Sequence, residues 1–233
     1  MAAGRPTLVT RHRRARRSRD RVRDAERRLM VERQLRGRGI HDARVLQAFR
    51  EVPREAFVPP ELDDRAYQDS PLPIGEGQTI SQPYVVALMV EALAVRPTDR
   101  VLEVGAGSGY AAAILSRLAG EVYAIERHPS LAAAAAERLG ELGYDNVHVR
   151  VGDGTLGWPD RAPFDLILVS AGGREVPAPL VAQLAAGGRL VIPVGDAWQQ
   201  ELIRILKTPD RRLVTERLGP VVFVPLVGGA GDR

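Results

Sequence analysis

Val101-Leu102-Glu103-Val104-Gly105-Ala106-Gly107-Ser108-Gly109-Tyr110 reads as a buried strand, a glycine turn and the start of a helix. Glycines after a strand let backbone N–H groups approach a ligand at a helix N-terminus. Glu103, two residues before Gly105, suits a ligand with a cationic group. The dinucleotide fingerprint is G-x-G-x-x-G, whereas Gly105, Gly107 and Gly109 are spaced G-x-G-x-G. Taken alone, the run is also compatible with a tight turn that binds nothing. Two further strands speak for a ligand. Glu121-Val122-Tyr123-Ala124-Ile125-Glu126 ends on Glu126, where a carboxylate can accept from both hydroxyls of a ribose. Val147-His148-Val149-Arg150-Val151 runs into Gly152-Asp153-Gly154, which places Asp153 to accept from an adenine amino group. Ligands of doubly wound sheets sit outside the carboxyl ends of the strands. Acids at three successive strand ends therefore predict an adenosine cofactor with a cationic tail, which S-adenosylmethionine (SAM) is.

The strands belong to an alternating pattern. Strands are expected at 101–104, 121–126, 147–152, 164–170 and 189–194, with helices at 109–119, 129–142 and 178–185. Such alternation gives an α/β fold with a doubly wound, mostly parallel sheet and right-handed crossovers. The C-terminal stretches Glu201–Lys207, Arg211–Arg217 and Val221–Val227 read as antiparallel strands on its edge, so the sheet is mixed. Upstream lies an N-terminal helical region, with helices expected from about Asp24 to Gly37, from Asp42 (an N-cap) to Phe49, and from Pro83 to Leu93. Pro59 to Pro83 reads as a long loop, and long ordered loops inside compact domains are usually functional.

Composition bounds the remainder. The chain has 233 residues, which favours one domain. There is no cysteine, so thiolate chemistry and disulfides are excluded. The four histidines His12, His41, His128 and His148 show no metal-ligand spacing, and no metal site is expected. Residues 1–28 hold eleven Arg against three acids; since the whole chain is +4, residues 29–233 carry a net −4. The Arg-rich stretch reads as a solvated, disordered extension that solubilises the chain or, alternatively, as an arm for nucleic acid. The domain organisation expected is the extension 1–28 and one domain 29–233: helical and loop region 29–99, cofactor core 100–195, C-terminal strands 196–233. No apolar run is long enough for a signal peptide or a membrane span.

From Val31-Glu32-Arg33-Gln34-Leu35 to Val224 the chain resembles the protein-L-isoaspartate (D-aspartate) O-methyltransferase family. The resemblance rests on Pro71-Leu72-Pro73-Ile74-Gly75-Glu76-Gly77-Gln78-Thr79-Ile80-Ser81-Gln82-Pro83, on Glu103 to Tyr110, on Gly152-Asp153-Gly154, and on Gly187-Gly188-Arg189-Leu190-Val191-Ile192-Pro193-Val194-Gly195. The resemblance implies a SAM-dependent methyltransferase fold of class I, Rossmann-like. It implies that the acceptor is the carboxylate of an L-isoaspartyl or D-aspartyl residue in a damaged protein or peptide. The methyl ester then closes to a succinimide that reopens partly to aspartate, and the cofactor leaves as S-adenosyl-L-homocysteine. A cytoplasmic monomer is implied. Ser81 carries over as the active-site residue, and its hydroxyl can donate to a substrate carboxylate; a serine two residues before Pro83 is otherwise read as a helix N-cap. Thr79, Ile80, Glu103, Gly105, Gly107, Ser108, Glu126, Asp153, Gly154 and Gln200 are the candidate cofactor contacts.

The family pattern departs at Ser170-Ala171-Gly172-Gly173-Arg174-Glu175-Val176-Pro177, where an alanine-rich stretch is common. The two glycines predict mobility, and Arg174 could pair with a substrate carboxylate. The competing readings are a methyltransferase for RNA or a small molecule, and a methyltransferase-like fold serving only as an interaction module. The −4 domain has the wrong sign for a phosphate-binding face.

Overall fold

The computed structural model describes residues 21–196 and 198–230. Its centre is a seven-stranded sheet made of β3 (Arg100–Val104), β4 (Glu121–Glu126), β5 (Val147–Val151), β6 (Phe164–Val169), β7 (Leu184–Gly195), β8 (Gln200–Lys207) and β9 (Leu213–Val221). The spatial order is β5-β4-β3-β6-β7-β8-β9. The first five strands pair in parallel, and β8 and β9 are added antiparallel. The chain moves outward from β3 to β5 on one side and from β6 to β9 on the other. The order thus reverses between β3 and β6, the crevice where open α/β sheets bind ligands.

Each central strand is buried on both faces, as its unbroken apolar run requires. Val101, Val122, Ala124, Leu166, Leu168 and Val191 face one layer; Leu102, Val104, Ile125, Ile167, Val169 and Leu190 face the other. The first layer is covered by α2 (Ala43–Glu51), α3 (Pro83–Leu93), α4 (Tyr110–Ser116) and α5 (Pro129–Glu141). The second is covered by α6 (Ala178–Gln183) and short 3₁₀ turns. Asp42 caps α2 as expected, accepting from the amides of Arg44 and Val45. Helix α3 starts on Pro83, whose missing N–H costs nothing in a first turn, and stops where Ala94 turns left-handed.

Several boundaries differ from expectation. Residues 21–30 form helix α1, followed by a π turn at Val31–Leu35 and a 3₁₀ turn at Arg36–Arg38. The helix thus takes in residues 24–28, where one was expected from about Asp24, and also residues 21–23, which fell in the stretch read as an extension. Arg23, only 7% exposed, donates to Asp63 at 2.9 Å and Asp64 at 2.6 Å and locks α1 onto the 3₁₀ turn Pro60–Arg65. Local charge density suggested repulsion; acids 40 residues downstream, invisible to a local count, reverse it. The remainder of the Arg-rich run, residues 1–20, lies outside the described residues. The expected loop 59–83 contains a hairpin of β1 (Leu72–Gly75) and β2 (Gln78–Ile80). The expected third C-terminal strand does not form: beyond Val221 the chain runs outside any strand, with one bridge at Pro225 to Gly172. Its amides pair instead with side chains and with the loop after β6.

Candidate functional site

The site lies at the carboxyl ends of β3, β4 and β6. Glu103 points to the same face as Val101, two residues earlier, and is 1% exposed. Its Oε2 has no hydrogen-bond partner. Burial, and secondarily the charge of Glu126, holds the Glu103 carboxyl well above its usual range. A buried carboxylate without a partner is costly, and a cationic ligand group is the partner that would relieve it.

The glycine turn follows. Gly105, Gly107 and Gly109 all have positive φ, at 87°, 53° and 87°, which only glycine adopts readily. The turn does not present all its amides to a ligand. Those of Gly105 and Ala106 donate to the Ile125 carbonyl at 2.8 and 3.1 Å. That of Gly107 donates to Glu126 Oε2 at 2.8 Å. Glu126 Oε1 accepts from the His128 amide at 2.9 Å. Glu126 is therefore the pin that holds the turn against the start of α5, with lone pairs left for further donors. Below the turn, Tyr110 is anchored by the rings of Phe49 and Phe57 and by the buried guanidinium of Arg54, 4.9 Å from its centroid. Arg54 donates to the Ala66 carbonyl at 2.7 Å. No sequence spacing pointed to this buried arginine.

Two adjoining cavities share Thr79, Ser170 and Val224 as walls. The narrower, about 60 Å³, is lined by Gly105, Gly107, Glu126 and Gly154, with Val224 to Val227 along one side. A Cβ on Gly154 would approach Val104 Cγ1 to 2.3 Å, so only glycine lets the turn after β5 pass this close to the end of β3. The larger, about 490 Å³, holds Ser81, Gln82, Gln200 and the segment Pro220 to Val224. The β1–β2 hairpin walls both through Thr79; its tip is fastened by Ser130, whose hydroxyl donates to Glu76 at 2.6 Å. Ile80 is buried, pairing with Leu72. Ser81 does not cap α3: Gln82 occupies the cap position, and no side chain caps the helix. Ser108 is buried, and its carbonyl accepts from Arg138 at 2.8 Å.

Two expected contacts are engaged elsewhere. Asp153 Oδ1 accepts from the Thr155 amide and hydroxyl at 2.9 and 2.7 Å, and Oδ2 from the Gly229 amide at 2.8 Å. Burial alone would raise this carboxyl, but those bonds bring it below its usual range. Gln200 spends its amide on the backbone of Phe223, accepting from N at 2.8 Å and donating to O at 3.1 Å. It clips the C-terminal segment to β8.

The loop after β6 is also unlike its expectation. Gly172 and Gly173 are not free to move. Their amides donate to the carbonyls of Val224 and Pro193, and their carbonyls accept from Leu226 and Gly195. A Cβ at Gly172 would meet Gln200 Nε2 at 2.4 Å, so the glycines serve close packing. Arg174 lies with Asp196 on a third cavity, of about 140 Å³, rather than beside Ser81. Ser170 was missed, although it follows the buried run of β6 just as Gly105 follows β3.

The sheet order, the glycine turn at its switch point and the acids ending β3 and β4 define a Rossmann-like, class I methyltransferase fold. The profile of the Protein-L-isoaspartate(D-aspartate) O-methyltransferase (PCMT) family matches residues 25–231, and the chain belongs to that family. Among curated relatives, a protein-L-isoaspartate O-methyltransferase of Roseiflexus castenholzii is 62% identical over 204 residues, covering 88% of this chain and 93% of the relative. One from Methylorubrum extorquens is 60% identical over 202 residues, covering 87% of this chain and 88% of the relative. A solved protein-L-isoaspartate O-methyltransferase superposes with a TM-score of 0.77 at 32% identity, covering 88% of this chain and 67% of that one. A Plasmodium falciparum structure described as a beta-aspartate methyltransferase in complex with S-adenosyl-L-homocysteine superposes at 0.75 with 28% identity, covering 86% and 98%.

Proposed function

We propose that the protein transfers the methyl group of SAM to the free carboxylate of L-isoaspartyl and D-aspartyl residues in damaged proteins and peptides. The supporting observation is the chemistry of the larger cavity. Among the described residues that line it none is ionisable, and three hydroxyls, Thr79, Ser81 and Ser170, open onto it or its border with the narrow cleft. A nucleophile that enters already ionised needs no base, and a carboxylate with an ordinary value near 3.9 is ionised at neutral pH. Uncharged donors can orient it without quenching it. An RNA acceptor would bring a run of phosphates, for which the walls offer no cation.

For SAM at this end of the sheet, Glu126 on the wall of the narrow cleft has remaining lone pairs that suit the ribose, and the unpartnered Oε2 of Glu103, buried behind the lining rather than part of it, suits the ammonium of the methionine part. Bound there, it supplies a methyl carbon made electrophilic by a sulfonium. A carboxylate oxygen bonds to that carbon as the carbon–sulfur bond breaks, giving a methyl ester and S-adenosyl-L-homocysteine. The protein's own contribution is alignment and exclusion of water. Thr79 and Gly154 border the cofactor, and Ser81 donates to the acceptor carboxylate. A monomer acting on cytoplasmic proteins belongs to the same proposal.

Ser81→Ala tests the assignment. One hydrogen bond to a charged group is worth about 1.5–3 kcal/mol. The expected loss in kcat/KM on an isoaspartyl peptide is about 10- to 100-fold, with the affinity for S-adenosyl-L-homocysteine unchanged by calorimetry. Unchanged kcat/KM would remove Ser81 from the site.

A further inference from the structure

The two most exposed large apolar side chains among the described residues are Trp198, 89% exposed, and Val222, 72% exposed. Both line the cavity that holds Ser81. They come from different elements: Trp198 from the turn between β7 and β8, Val222 from the segment after β9. Isolated exposed apolar residues are common and need no explanation. Two at the extreme of the distribution, on the walls of one cavity, call for one.

The turn is built to hold Trp198 outward. Asp196 Oδ1 accepts from the amides of both Trp198 and Gln199 at 2.8 Å. The Asp196 amide donates back to the Gln199 carbonyl at 3.2 Å. These bonds carry the Asp196 carboxyl below its usual range. The chain has only one other tryptophan, Trp158, and that one packs edge-on against Tyr123 with the Arg150 guanidinium 4.3 Å from its ring. Opposite, Val222 follows directly on β9 and precedes Phe223, which Gln200 fastens by two bonds. The Trp198 amide is thus held by Asp196, and Val222 adjoins the residue that Gln200 holds. Tryptophan offers a large contact area at small cost in side-chain freedom, which is why it is enriched where partners bind.

We infer that Trp198 and Val222 form an apolar pair that grips the side chain of a residue flanking the isoaspartyl linkage, and so give the enzyme a preference for apolar or aromatic neighbours. This rests on the proposed function: the occupant is the acceptor peptide itself. No charged residue is among the described residues that line the cavity, which sets the sign of the preference, because a charged neighbour would lose its hydration there without a partner.

The test compares three short peptides, two with an isoaspartyl linkage flanked by Leu or by Gly and one with a normal aspartyl linkage flanked by Leu. The full chain is assayed by transfer of labelled methyl from SAM. Burying one leucine side chain discriminates by roughly 10-fold or more. The parent is expected to favour the Leu-flanked isoaspartyl peptide over the Gly-flanked one by about 10-fold in kcat/KM. Trp198→Ala is expected to shrink that ratio to within about twofold, through KM rather than kcat and without change in S-adenosyl-L-homocysteine affinity. Trp198→Phe should keep most of it. In Trp158→Phe, fluorescence reports Trp198 alone and is expected to respond to the Leu-flanked peptide more than to the Gly-flanked one. Equal kcat/KM for the two isoaspartyl peptides in the parent, or an undiminished ratio in Trp198→Ala, overturns the inference while leaving the repair activity standing. No labelling of either isoaspartyl peptide, with S-adenosyl-L-homocysteine still bound, overturns the proposed function and the inference with it.

Discussion

Glu126→Ala is expected to weaken S-adenosyl-L-homocysteine binding by about 100-fold or more and to lower the melting temperature. Both oxygens of this carboxylate are in use, one on the Gly107 amide and one on the His128 amide. The residue is buried, so both amides lose their built-in acceptor when the side chain is removed. Each orphaned buried donor costs roughly 1–3 kcal/mol. The glycine turn then loses its tie to α5, and the cofactor loses the acceptor for its ribose. A 100-fold change corresponds to about 2.7 kcal/mol, within the roughly 1.5–3 kcal/mol of a hydrogen bond to a charged group, while the two amides account for the lower melting temperature. Glu126→Gln keeps one acceptor oxygen and should fall between parent and Ala. Calorimetry and a thermal melt check both effects; an affinity within about threefold of the parent would mean that Glu126 only closes the fold.

Glu103→Gln should act with opposite signs on affinity and on stability. Without ligand, Glu103 is buried with one oxygen unpartnered, beside Glu126. Its carboxyl in the folded chain sits above the ordinary glutamate value of 4.5. Above that ordinary value the unfolded chain has released the proton that the folded chain still holds. Stability therefore falls as pH rises from about 4.5 through the folded pKa, by linkage. Glutamine has no proton to lose, so this slope should vanish. The variant's melting temperature at neutral pH, without ligand, should be at or above the parent's. Its affinity for S-adenosyl-L-homocysteine should fall about 10-fold or more, because a charge-assisted bond to the ammonium is lost. Active sites commonly trade stability for function in this way. A lower melting temperature with unchanged affinity would place Glu103 in the fold alone. Melts from pH 4 to 8, with and without ligand, separate the two outcomes.

What was legible in the sequence was local or periodic. The strand of Val101 to Val104, its glycine turn and the acids at 103 and 126 follow from spacing alone, and so do the cap at Asp42 and the start of α3 at Pro83. What was not legible depends on partners far along the chain. Asp153 looked available at a strand end, but Gly229, 76 residues away, donates to it. Gly172 and Gly173 suggested mobility because a glycine pair does so locally; the Gln200 side chain from β8 and the Glu175 carbonyl stand too close for any side chain there. Val221 to Val227 carried a strand's composition, yet Gln200 and the loop after β6 take its backbone groups before a sheet partner can. Arg23 belonged to a cationic run until Asp63 and Asp64 were brought beside it. The family resemblance supplied Ser81, which no local rule separates from a helix cap; the structure shows that it is not one.

The most direct test of the proposed activity is transfer of labelled methyl from SAM to two peptides identical except for one isoaspartyl or normal aspartyl linkage. Base-labile label on the isoaspartyl peptide alone is the predicted result. Label on neither peptide, with S-adenosyl-L-homocysteine still binding, would contradict it and direct the search for the acceptor to RNA or a small molecule.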